Sequence, residues 1–67
     1  MKFFLHLTNV DSETFYLNPA YIIHLQEVRS SDGVFLHTRV ETTEGTAFHV
    51  KEHAAEIFSQ LETMHAL

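Results

Sequence analysis

The chain has 67 residues and a net charge of −5, and six phenylalanines and two tyrosines contribute to an apolar content of 45%. This composition suits one small folded domain over residues 1–67 rather than a disordered chain. The excess of acidic residues argues against a nucleic-acid partner, because binding to phosphates depends on clustered Lys and Arg. The absence of cysteine excludes disulfide bonds and fits a reducing compartment, so we expect a cytoplasmic protein.

The first apolar segment is too short for export or for membrane insertion. It runs from Phe3 to Leu7 and is followed by a mostly polar stretch from Thr8 to Glu13. A signal peptide needs an apolar run of about 7–15 residues, and a membrane-spanning helix needs about 20. We therefore expect no membrane insertion.

Short segments rich in β-branched and aromatic residues follow one another up to residue 50, with turn-forming residues between them. Apolar and polar residues alternate in several of them, notably at Val34, Leu36, Thr38 and Val40, which is typical of strands with one buried face. The five predicted strands are Lys2–Thr8, Thr14–Leu17, Ile22–Arg29, Val34–Thr42 and Thr46–Val50. Gly33 and Gly45 indicate two hairpins, because glycine adopts a positive φ without strain. The faces of the third strand are ambiguous, because Ile22 and Ile23 are adjacent.

Two helical signals complete the pattern. Asn18 followed by Pro19 indicates a single helical turn before the third strand, because Asn caps a helix and Pro favours its first position. From Lys51 onward the apolar period lengthens to about 3.5 residues, which predicts an amphipathic helix that covers the sheet. Its apolar stripe contains Ala54, Ile57, Phe58, Leu61 and Met64 or His65, and we expect Phe58 to be buried against the sheet.

These elements predict an α+β fold of the order β-β-β-β-β-α. We expect a small, bent antiparallel sheet or partial barrel of about five strands, followed by one C-terminal amphipathic helix. A sheet of this kind leaves at least one edge unpaired, and an open edge favours pairing with another copy.

Two short motifs carry a family resemblance. Phe15-Tyr16-Leu17-Asn18 fits an F-x-L-N pattern that precedes an isoleucine-led strand at Ile22, and Val50-Lys51-Glu52 fits a V-x-E pattern before the last helix. This arrangement resembles the small FlbD/SwrD-like family, which is associated with bacterial flagellar and swarming motility. The resemblance implies a bacterial interaction or regulatory protein and supplies no catalytic residues.

Histidine is unusually frequent, with six copies in the chain. Four of them fall on four different predicted strands, and His53 follows His49 by four residues. Imidazoles on neighbouring strands bind zinc, nickel or copper when several converge on one point, and the candidates are His24, His37, His49 and His53. The alternative is that these residues occupy half-exposed positions on the solvent-facing side of the sheet. We expect no resident cofactor or metal.

No arrangement in the sequence indicates catalysis. Ser59 and Thr63 have no evident base in register, and Ser30 and Ser31 lie in a predicted turn, where hydroxyls commonly bond the backbone. We therefore predict a non-enzymatic protein with no catalytic residues.

Adjacent aromatic residues indicate that both faces of the sheet carry aromatic side chains. Phe3 and Phe4, like Phe15 and Tyr16, must point to opposite faces of a strand. The second face is either covered by another subunit or partly covered by the curl of the sheet itself. The interface candidates are Phe4, Tyr16, Tyr21 and Phe35.

The sequence thus favours a small non-enzymatic interaction or regulatory module that acts as a homo-oligomer and contacts an unidentified protein partner. Its link to motility rests on the resemblance alone. The alternative is a histidine-rich protein that responds to metal or pH.

Overall fold

The structure is a computed structural model that describes residues 4–65, apart from the side chain of His65. The elements are β1 (Leu5–Thr8), β2 (Thr14–Leu17), a 3-10 turn (Pro19–Tyr21), β3 (Ile22–Arg29), β4 (Phe35–Thr42), β5 (Ala47–Val50) and α1 (Ala54–His65). The predicted α+β class, with five antiparallel strands and a C-terminal helix, is confirmed. Lys2 and Phe3, where the first strand was predicted to begin, lie outside the described residues.

The five strands form two antiparallel sheets that meet at one corner. β1 pairs with β2, and the other sheet has the order β3-β4-β5. At the corner, the Lys51 N–H donates to the Thr8 carbonyl at 2.8 Å and the Val10 N–H donates to the His49 carbonyl at 3.1 Å. The end of β1 therefore continues beside β5, and the described strands form a bent, open arrangement rather than a closed barrel.

Both predicted hairpins are present, and each has its glycine in the left-handed region. Gly33 has a φ of 82° and its N–H donates to the Ser30 carbonyl, whereas Gly45 has a φ of 83° and its N–H donates to the Thr42 carbonyl. The predicted turn at Asn18 is also present, because the Asn18 side chain accepts a hydrogen bond from the Ala20 N–H at 3.0 Å. Local turn chemistry thus sets the order and direction of the strands.

The core lies between the two sheets and the helix. Its fully buried side chains are Leu5, Leu7, Val40, Val50 and Ile57, and the partly buried residues packed against them are Phe15, Leu17, Ile22, Leu25, Phe48, Leu61 and Met64. The rings of Phe15 in β2 and Phe48 in β5 lie 5.1 Å apart, so an aromatic contact joins the two sheets.

The alternation predicted for the fourth strand holds over only half of its length. Thr38 and Val40 are fully buried, but Val34 and Leu36 are exposed. One reason is that the register of β3 and β4 skips Leu36, so the alternation of faces changes there. In addition, the last residue of β5 pairs with Thr38. The part of the hairpin before Thr38 therefore extends beyond the three-stranded region.

The helix differs from the prediction in its start and in its buried face. It begins at Ala54 rather than at Lys51. Ile57 is fully buried, whereas Phe58 is 52% exposed, so the expectation of a buried Phe58 is wrong. Adjacent helical residues point about 100° apart, and the stripe of Ile57, Leu61 and Met64 takes the face toward the sheets.

Side chains near and within the helix make hydrogen bonds with backbone groups along the free edge of β1. The Gln60 amide pairs with the backbone of His6, accepting from its N–H and donating to its carbonyl, both at 2.9 Å. The Glu52 carboxylate accepts from the Thr8 N–H at 2.9 Å. The chain after β5 thus takes the place of a strand along this part of β1.

The packing of α1 predicts a contrast between two adjacent residues. Ile57→Ala removes a fully buried side chain and should lower the free energy of unfolding by about 2–5 kcal/mol. Phe58→Ala shortens a half-exposed side chain and should have a much smaller effect. Urea unfolding of both variants, followed by circular dichroism, measures the contrast. A larger loss for Phe58→Ala than for Ile57→Ala would contradict the described orientation of the helix.

Candidate interaction surface

A carboxylate on β3 fixes the start of α1. Glu27 accepts a hydrogen bond from the Ala54 N–H through Oε2 at 2.9 Å and one from Arg29 Nη2 through Oε1 at 2.7 Å. His53 Nδ1 lies 3.7 Å from the same Oε2. Because the first N–H groups of a helix have no partners within the helix, a carboxylate at this point stabilises the helix and fixes its position.

His53, the residue just before the helix, makes two further kinds of contact. The His53 ring stacks on the Phe35 ring with centroids 3.7 Å apart. The His53 N–H donates to Glu56 Oε1 at 3.2 Å, while the His53 carbonyl accepts from the N–H groups of Glu56 and Ile57. The hairpin of β3 and β4 therefore holds the helix end through both a carboxylate and an aromatic ring.

This environment changes the titration of Glu27. The hydrogen bond from the Ala54 N–H and then that from Arg29 lower the pKa of Glu27 below its ordinary value of 4.5, and the charges of Arg29 and His53 act in the same direction. Partial removal of the carboxylate from water opposes this shift. The folded protein thus favours the ionised form of Glu27.

The helix held in this way forms one wall of an apolar groove of about 370 Å³. The other wall is the 3-10 turn and the first half of β3. The groove is lined by Pro19, Ile22, Ile23, His24, Leu25, Phe58 and Leu61. No side chain in this set carries a carboxylate, although the whole chain has a net charge of −5.

The largest exposed apolar side chains in the groove come from its two walls. Ile23 is 63% exposed and Phe58 is 52% exposed. The pairing of β3 with β4 has a register shift between Ile22 and His24. This irregularity resolves the ambiguity of the adjacent isoleucines, because Ile22 packs against the core while Ile23 is left in the groove.

The predicted interface residues differ in their exposure and in their surroundings. Tyr16 is 70% exposed and stacks on His6 with centroids 5.0 Å apart, and Phe4 is also exposed. Tyr21 is exposed in the 3-10 turn that precedes the groove. Phe35 is half-buried beneath His53 at the start of the helix. Sequence reasoning missed the groove itself, although the adjacent Ile22 and Ile23 were a local signal for it.

The four candidate metal ligands are divided among different places. His37 and His49 lie on the outer face of the three-stranded sheet, with ring centroids 4.7 Å apart. His24 lies opposite Glu41 in the β3–β4 register, and His53 lies at the start of the helix. Among the described side chains, which end at residue 64, no group of three or more His, Asp or Glu residues is arranged to hold a metal ion.

Comparisons with family models, curated proteins and solved structures found no match for this chain. The resemblance to the FlbD/SwrD-like family therefore stays a prediction. In the part of the chain that the structure describes, no helix is both long and apolar enough to cross a membrane.

The pKa of Glu27 predicts a pH-dependent loss of stability. A carboxyl group whose pKa is lowered by folding stabilises the fold above its unfolded pKa, and this contribution is lost as the pH falls through the folded pKa. Glu27→Gln should therefore melt at a lower temperature than wild type at neutral pH, and the difference should shrink as the pH falls below 4.5. Thermal melts of both proteins from neutral pH to below pH 4.5 measure this difference in melting temperature.

Glu62→Gln is the matched control, because Glu62 is exposed on the same helix. It should melt like wild type at neutral pH. A Glu27→Gln variant that also melts like wild type, or whose difference persists unchanged in acid, would contradict the role given to Glu27.

Proposed function

We propose that the protein is a small non-enzymatic interaction module that works as a homo-oligomer, and that the groove between β3 and α1 is its contact surface with a second copy. The observation that supports this proposal is the position of the groove beside an open sheet edge. Within the described residues, β3 pairs with β4 and has no strand on its other side. An open edge and an adjacent apolar groove together offer backbone hydrogen bonds and apolar burial to one partner.

The charge distribution favours a second copy as the partner. Two chains of net charge −5 repel each other over most of their surfaces. The groove lining contains no carboxylate, so contact there brings no acidic side chains of the lining together. Added salt screens the remaining repulsion, and association through this surface should strengthen as the salt concentration rises.

The geometry of an edge strand also suits a symmetric dimer. A two-fold axis makes the same patch contact itself, and it brings two β3 edges together in antiparallel orientation. Because the groove lies beside Ile22 to Leu25, pairing centred on this half of β3 brings both grooves to one interface. Phe58 of each copy then covers apolar surface of the other.

The required contact area is modest for this chain. A standard interface buries about 800 Å² on each partner, which is about one sixth of the accessible surface of 4657 Å². Ile23 and Phe58 supply large apolar side chains at its centre, where most binding energy of an interface concentrates.

Light scattering coupled to size exclusion tests the proposal at micromolar concentration. The wild-type chain should have a mass of at least twice 7.7 kDa, and Phe58→Lys and Phe58→Glu should both give monomers. Both signs of charge are used because a loss of association seen only with Phe58→Glu would reflect added repulsion between two acidic chains. Circular dichroism checks that the variants remain folded.

Two control variants identify the surface that is used. Leu36→Lys changes an apolar residue of nearly the same exposure, 54%, at the end of the hairpin and outside the groove. Tyr16→Lys changes the exposed aromatic face of β2. Both should associate like wild type. A monomeric wild-type chain would overturn homo-oligomerisation, and monomers formed by Tyr16→Lys but not by Phe58→Lys would move the contact to the other face.

A further inference from the structure

The outer face of the three-stranded sheet holds a second feature, which is independent of the groove. His49 in β5 pairs directly with Arg39 in β4, and His37 precedes Arg39 by two residues on the same face. His37 and His49 are thus diagonal neighbours on adjacent strands. Side chains in this relation can touch, and these two rings pack edge to face with centroids 4.7 Å apart.

We infer that His37 and His49 form a two-imidazole site for a divalent transition-metal ion of the copper, nickel and zinc class. An ion bound at about 2.1 Å to one nitrogen of each ring needs nitrogens about 3.4 Å apart in the tetrahedral geometry of zinc and about 3.0 Å apart at the right angles that nickel and copper prefer. The edge-to-face rings must rotate to present their nitrogens, and a centroid separation of 4.7 Å places both rings within reach of one ion. Two protein ligands leave the remaining coordination positions to water.

Both histidines are at least partly exposed to solvent. His49 is exposed and His37 is half-buried. Among the side chains of residues 4–64, neither ring has a hydrogen-bond partner. Binding a metal ion therefore breaks no hydrogen bond of these rings.

Two cationic side chains at neighbouring register positions are held by other groups. The Arg39 Nε lies 3.1 Å from Glu41 Oε1, and Glu41 lies on the side of Arg39 away from His37. The Lys51 ammonium donates to the Ser12 hydroxyl. The charge that would oppose a bound cation is thus partly neutralised or directed away.

The strands fix the two imidazoles relative to each other. β4 and β5 are paired at four consecutive positions, from Thr38 with Val50 to Glu41 with Ala47. A second ligand held close to the first acts at a high effective concentration, so a pair binds more tightly than a single imidazole. Imidazole selects copper, nickel and zinc, whereas magnesium prefers oxygen ligands.

Calorimetric titration of untagged protein with Ni²⁺ alone tests the inference. His37→Asn and His49→Asn should each weaken the tightest Ni²⁺ binding by about tenfold or more, because either change leaves a single imidazole. The double variant should be little weaker than either single variant, since the pair acts as one unit. Mg²⁺ should give no binding at this site.

His24→Asn and His53→Asn are the matched controls, because they remove candidate imidazoles that lie outside the pair. Each should bind Ni²⁺ like wild type. Circular dichroism confirms the fold of every variant, and Cu²⁺-induced broadening of NMR signals locates the site independently. The assignment would be overturned if His24→Asn or His53→Asn lost as much Ni²⁺ affinity as the pair variants, or if His37→Asn and His49→Asn lost little. Broadening centred elsewhere in the protein would also overturn it.

Discussion

The rest of the structure depends on the docking of α1 through hydrogen bonds between side chains and backbone groups. Glu27 binds the first N–H of the helix, Gln60 pairs with both backbone groups of His6, and Glu52 accepts the N–H of Thr8. Each bond satisfies a polar group at a helix end or along the free edge of a strand. Together they place Ile57 over the junction of two small sheets, each of which would be too small to form a core alone.

The same docking creates the groove on which the proposed function depends. With Ile57, Leu61 and Met64 packed toward the sheets, Phe58 projects beside the first half of β3. The register shift at Ile22 leaves Ile23 on the opposite wall. The helix therefore meets β3 at two places, where Glu27 accepts from its first N–H group and where Phe58 lies beside the first half of the strand. The histidine pair on the outer face is separate from this arrangement.

The sequence was sufficient for the order of the elements because its signals are local. Asn18-Pro19, Gly33 and Gly45 mark turns that the structure contains, and the alternation of Leu5 and Leu7 marks a buried face. The wrong prediction that Phe58 is buried has a different origin. Ile57 and Phe58 are adjacent and both large, and the apolar pattern of the helix does not decide which of them faces the core. The hydrogen bonds of Gln60 and Glu52 span 54 and 44 residues, and no local pattern predicts such partners. The groove was missed for the same reason, since its two walls, residues 19–25 and residues 58–61, are far apart in the sequence.

Hydrogen exchange at the backbone amides of His6, Thr8 and Ala54 tests the docking of α1 most directly, because each of these amides donates to a side chain. Slow exchange at all three positions in the wild-type protein is the expected result. Gln60→Ala should speed exchange at His6 and leave the amide of Leu7, which faces β2, slower than that of His6. Exchange of the three wild-type amides at the rate of an unstructured peptide would contradict the account.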